Sequence, residues 1–222
     1  MAASRLSIYN DALLLAGERA IASLTDETEG RRLLDQVWNN NGVDACLEEA
    51  QWNFAMRTIQ IDYDPGITPS YGYNRAFDKP SDWILTSGVC ADGFFRVPIT
   101  RYVDEAGYWF SDLDTIYVRY VSNDANYGGN LGLWPRSFTE FVAAHFASKI
   151  VLKLSNDLQK QMQFVNPANP EHGIRGRALL HAKSRCAMAG PTLIPAEGRW
   201  AVSRTRGVAR RDGGRTTGDL TG

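Results

Sequence analysis

Residues 48–61, EEAQWNFAMRTIQI, change hydrophobic period within a single run. Up to Met56 the apolar residues Trp52, Phe54, Ala55 and Met56 extend a helical pattern that begins near Arg31, whereas residues 58–61 alternate as a half-buried strand does. The chain therefore leaves a helical layer for a sheet at this point. Trp52 and Phe54 are the residues placed to close the base of the helices and pin the junction, as core and not as site residues.

The remaining elements follow from spacing and punctuation. Leu6, Tyr9, Leu13 and Ala16 predict a first helix over residues 4–17, stopped at Gly17. After the loop ERAIASLTDE, a second amphipathic helix is capped by Thr28 or Asp26 and carries on to the Trp-x-Phe. Residues 62–80 hold Pro65, Pro69 and Pro80 among Tyr63, Tyr71, Tyr73 and Phe77, which reads as an ordered loop. WILTSGV, FFRVPITRYV, YWFSD and TIYVRYV between residues 83 and 121 predict a small antiparallel sheet, with turns at 91–93 and 105–107. The loop SNDANYGGNLGLWP reads as flexible. Residues 137–154 are the strongest helix, announced by Pro135 and Ser137, and a further helix is predicted from Asn169-Pro170-Glu171 to near Gly190. The expected fold is mainly α: a helical bundle from residues 1–57 and 134–189, a loop and β-rich insert at 58–133, and an extended arm at 190–222.

A net charge of −1, from 24 basic and 25 acidic residues, lacks the basic surplus of a protein that coats nucleic acid, so electrostatic arguments must be local. The start, MAASRLSIYNDALLLAG, fits neither a signal peptide nor a membrane span, which predicts synthesis in the cytoplasm. Cys46, Cys90 and Cys186 are widely spaced and read as reduced, buried thiols with no zinc motif.

Catalytic motifs are missing: there is no G-x-S-x-G, H-E-x-x-H, Walker-type loop or dinucleotide fingerprint. His145 lies on the apolar face of its helix without a carboxylate or Cys one turn away, so a core or interface role is favoured over a ligand or base. Asp112 and Asp114 fit turn chemistry. Neither an enzyme nor a cofactor or metal is expected.

The last 33 residues carry seven Gly, six Arg and no Lys, against Glu197, Asp212 and Asp219, for a local charge of six minus three, or +3. Such a stretch reads either as a solvated terminus or as an arm that orders on a partner. Leu193, Ile194, Trp200 and Val202 are candidate anchors, and Arg199, Arg204, Arg206, Arg210 and Arg211 suit carboxylates on another protein, or a phosphate backbone. The order of elements favours the protein-binding arm.

That order also carries a resemblance. The segment N-x-A-L-x-x-x-G-E (Asn10, Ala12, Leu13, Gly17, Glu18), the W-x-F-A of Trp52, Phe54 and Ala55, K-P-S-D-W-I from Lys79 to Ile84, and W-P-x-x-F-x-x-x-x-A-x-x-x-A from Trp134 to Ala147 are similar to the tail tubular protein A family. These are head-to-tail adaptors of short-tailed bacteriophages. The likeness spans about residues 4–155 and leaves the β insert and the arm unaligned. It implies a structural virion protein without catalysis, forming a twelve-subunit ring between portal protein and tail nozzle protein. Viral DNA would pass through the bore, and the C-terminal arm residues named above would dock on the portal. A connector of a long-tailed phage is the near alternative, and a nucleic-acid-binding module using the Arg-rich tail is the alternative from another class.

Overall fold

In the computed structural model, which describes residues 3–69 and 72–190, Ser4 opens helix α1 (Arg5–Ala16). Its hydroxyl accepts from the Ser7 N–H while Ser7 Oγ accepts from the Ser4 N–H, satisfying two donors that the first turn leaves unpaired. Thr28 caps α2 (Glu29–Asn39) by accepting from the Arg31 N–H. The expected long second helix breaks here. Asn41 adopts a left-handed φ of 57°, and α3 (Gly42–Leu47) starts afresh after it. Gly42 is required at the break, because a Cβ there would stand 2.5 Å from the Val37 carbonyl oxygen.

Trp52 then leads through a 3-10 turn, Asn53–Ala55, into β1 (Met56–Asp62). The remaining strands are β2 (Arg75–Asp78), β3 (Trp83–Cys90), β4 (Val103–Glu105), β5 (Tyr108–Ser111) and β6 (Thr115–Ser122). They form two antiparallel sheets of three, ordered β1-β6-β3 and β2-β5-β4. The chain returns to helix in α4 (Arg136–Ser155), α5 (Leu158–Phe164) and α6 (Ile174–Met188). Helix α4 packs against α1, α2, α5 and α6, and its Phe138, Phe141 and Phe146 fill the core shared with Ile8, Tyr9 and Leu34.

The expectation of a mainly α fold is overturned. With 43% helix and 19% strand in two three-stranded antiparallel sheets, the protein is mixed α/β, although a small β portion is there as expected. Two local causes explain the difference. Broken at Asn41, the second helix is shorter than its periodicity suggests, and the proline-rich loop hides β2, whose Ala76 and Phe77 pair with Phe110 and Trp109. FFRVPITRYV is not a strand until Val103. Pro98, which has no N–H to give a ladder, makes only an isolated bridge with Cys90. Helix α5, capped by Asp157, was not expected, and Asn169-Pro170-Glu171 opens only the 3-10 turn Pro170–His172 before α6. The loop after β6 is held, not flexible: the Trp134 indole N–H donates to the Gly128 carbonyl at 2.7 Å.

The junction between helices and sheet is aromatic. Trp52 is buried, with its ring centroid 4.8 Å from Phe138 and 6.2 Å from Phe141, and its indole N–H donates to the Cys46 carbonyl at 3.1 Å. Trp134 meets Phe138 edge-on at 4.9 Å. Strand β6 ends against this cluster, so Tyr120, Val121 and Ser122 are all buried where strict alternation would expose one of them.

The K-P-S-D-W segment joins the sheets. Lys79 Nζ lies 3.5 Å from the centroid of the Trp83 ring and pairs with Asp104 of β4. Thr86 Oγ1 accepts from the indole N–H groups of Trp83 and Trp109, each at 3.0 Å, and donates to Asp104, which uses its full hydrogen-bonding capacity. Asp82 accepts from Arg57 at 2.8 Å and from the hydroxyls of Tyr120 and Ser122. Burial disfavours its charge, but the Ser122 and Arg57 donors, with the Arg57 charge, outweigh that and hold its carboxyl below the usual carboxylate range.

Trp52→Ala costs about 3–5 kcal/mol of stability in urea unfolding, because it empties the junction, and Trp52→Phe costs about 1–3 kcal/mol by leaving the Cys46 carbonyl without its donor. Asp82 is charged at lower pH in the native state than in the unfolded chain, where carboxyls titrate near pH 3.9. Its contribution is complete above that value and is lost as pH falls through the native pKa. The stability gap between the natural protein and Asp82→Asn is therefore widest at neutral pH and narrows in acid.

Candidate interaction surface

His145 sits on α4 inside the bundle. Arg175 Nε of α6 donates to His145 Nδ1 at 3.0 Å, and the same guanidinium pairs with Glu49, just past α3. An acceptor Nδ1 places the ring proton on Nε2 and keeps the imidazole neutral. Burial, reinforced by the charges of Arg175 and Lys149, pushes its pKa down to about 4. The lone pair that a general base would need is occupied by an arginine, so the group ties α4 to α6 and the end of α3.

Asp112 and Asp114 lie in the bend between β5 and β6, but their carboxylates reach across to the start of β2 instead of closing their own turn: Asp112 accepts from the Asn74 backbone and side chain, and Asp114 pairs with Arg75 at 2.8 Å. Cys46 and Cys90 are buried and burial raises both thiols, whereas Cys186 is only half-buried. Among the described residues no group of His, Cys, Asp and Glu could hold a metal ion, and no helix is long and apolar enough to cross a membrane.

The surface offers two features that face outward. The first is the tip that follows β3. Asp92 accepts from the backbone N–H groups of Val97 and Arg96 at 2.8 and 3.0 Å, which holds its carboxyl below the usual range, and the Ala91 N–H donates to the Val97 carbonyl. Phe95 takes a left-handed φ of 56°, a conformation that costs a bulky residue about 1–2 kcal/mol. Its ring lies under Arg119. The result is a closed tip that presents Phe94, 82% exposed, and Val97, 57% exposed, with Arg96 beside Phe94.

The second feature is a groove of about 390 Å³ between α1, α4 and α6. Leu14, Leu15, Ala143, Ala144, Ile174 and Ala178 form its apolar walls, and Asp11, Arg136 and Glu140 its rim. Leu14 is 75% exposed. Arg136 pairs with Glu140 at 2.9 Å, whereas Asp11 makes no ion pair among the described residues. Partial burial, followed by the Glu140 charge, raises the Asp11 pKa.

The arm candidates Leu193, Ile194, Arg199, Trp200, Val202, Arg204, Arg206, Arg210 and Arg211 lie outside the described residues. No protein-family model matches this chain, and neither does any curated protein.

Sequence reasoning missed both surface features. Leu14 and Leu15 were legible as apolar residues off the buried stripe of α1, which runs through Ile8, Tyr9, Ala12, Leu13 and Ala16. Phe94 was hidden by reading its segment as a strand.

The histidine supplies a prediction. The unfolded chain takes up a proton near pH 6.5, whereas the native ring does so only at about 4, so stability falls as pH drops from about 6.5 towards 4. Histidine NMR titration finds the ring neutral at pH 5.5, and His145→Gln removes this part of the acid-dependent loss in unfolding experiments.

Proposed function

We propose that this protein is a non-enzymatic structural adaptor of a bacteriophage virion, a subunit of a ring that joins the portal protein to the tail nozzle protein and lets DNA through. The observation that carries the reading is where the resemblance residues sit. Trp52, Phe54, Trp134 and Phe138 meet in one aromatic cluster, while Lys79, Asp82 and Trp83 bind the sheets together. The motifs that resemble the tail tubular protein A family are thus joints of the fold, as a protein selected for shape would place them.

Two further features favour assembly over turnover. His145 is locked to Arg175 within the core, and the exposed Phe94 and Leu14 offer apolar contact area on separate parts of the surface. In this reading, contacts between subunits build the ring. The arm at 190–222 latches to the portal through Trp200 and the arginines that flank it, at an ordering cost.

The test is sedimentation velocity of the protein mixed with portal rings of the same phage, beside a chain ending at Ala189. The full chain is expected to migrate with the portal, and the shortened one to remain apart. A full chain that never joins the portal at any ratio overturns the adaptor reading, and joining by both chains overturns the latch.

A further inference from the structure

We infer that the tip carrying Phe94 and Arg96 docks into the α1/α4/α6 groove of a second copy of this chain. The inference deepens the adaptor reading and rests on it for the presence of a neighbouring copy.

Shape supports the match. Phe94 projects from a tip fixed by the Asp92 carboxylate and by the Ala91 to Val97 hydrogen bond, so little ordering is needed when it binds. An aromatic anchor entering an apolar pocket is the usual centre of a protein interface. The groove presents Leu14, Leu15, Ala143 and Ala178, and its volume of about 390 Å³ exceeds what one aromatic ring fills. Its small alanines leave the entry open.

Charge selects the occupant. Arg96 makes no ion pair among the described residues, and neither does Asp11. Next to Asp11, Glu140 adds a second negative charge that Arg136 already balances. Arg136 is the rim's one cation against two carboxylates, and an incoming Arg96 beside Phe94 would balance the charge left over at Asp11, since guanidinium meets carboxylate with two parallel hydrogen bonds. The acidic rim disfavours nucleic acid as an occupant.

Position gives the contact its consequence. The tip leaves β3 beyond Cys90, which pairs with Tyr117 near the start of β6, whereas the end of β6 meets the helices. Tip and groove are different patches on one chain. Unless two copies exchange tips reciprocally across a two-fold axis, such a contact is head-to-tail, and repeated it closes into a ring if the rotation per subunit closes.

Disulfide trapping tests the contact. In a Cys186→Ser background, chains with Val97→Cys are mixed with chains carrying Thr139→Cys, a residue of the groove wall. Phe94, Arg96, Leu14 and Asp11 stay intact, and thermal melts verify folding. The mixed disulfide is expected to exceed that of a control pair, Val97→Cys with Leu158→Cys on exposed α5. Arg96→Glu in the tip chain lowers the yield about ten-fold by setting like charges together, and Asp11→Arg in the groove chain restores it. Yield no greater than the control, or a yield that Arg96→Glu leaves unchanged, overturns the inference. Portal binding by the natural chain separates the two failures. Binding without trapping removes this contact and leaves the adaptor, whereas trapping without binding leaves the contact and removes the adaptor.

Discussion

The hydrogen bond from the Trp52 indole to the Cys46 carbonyl, inside a cluster of Phe54, Phe138, Phe141 and Trp134, is the constraint on which the rest of the structure depends. The chain must turn from a helical period to a strand period with no glycine or proline to ease the change. A buried tryptophan solves this by filling the space between the end of α3 and the start of α4 while its one polar atom is satisfied. The sheet then leaves the bundle at a fixed angle. Strand β6 returns to the same cluster, so both ends of the β portion are anchored at one place.

Packing and polar chemistry together hold the second sheet to the first: Phe77 and Trp109 of the second are buried against Val89, Ile116, Val118 and Tyr120 of the first. Lys79 is nearly enclosed by Trp83, Trp109 and Asp104, and Thr86 is saturated by two indoles and a carboxylate. Removing Asp104 would leave the Lys79 ammonium, on a side chain only 8% exposed, without its counter-charge, which makes the network costly to break and specific in geometry. A rigid α/β body follows, and rigidity suits a part whose proposed work is to hold neighbours at set angles.

Much of the helical framework was legible. The limits of α1 and α4 follow from Ser4, Gly17, Pro135 and an apolar stripe, because cap chemistry and periodicity are local signals. What escaped was decided by contacts distant in sequence. Asn39, Asn40 and Asn41 before Gly42 are a turn signal that the longer apolar pattern overrode, and β2 exists only because β5 is there to pair with it. The interaction surface was legible to a lesser degree. Exposure of Phe94 depends on Asp92 closing the tip, and the groove needs three helices in place. The pairing of His145 with Arg175 was not legible either, because it joins two helices across 30 residues of chain.

The proposed adaptor role is tested by electron cryo-microscopy of the protein incubated with portal rings of the phage that encodes it, if the proposal holds. An adaptor is expected to form a second ring of copies stacked coaxially on the portal, with an open bore wide enough for duplex DNA and the β portion of each subunit against the helices of the next. Bare portal rings alongside free single chains would contradict it.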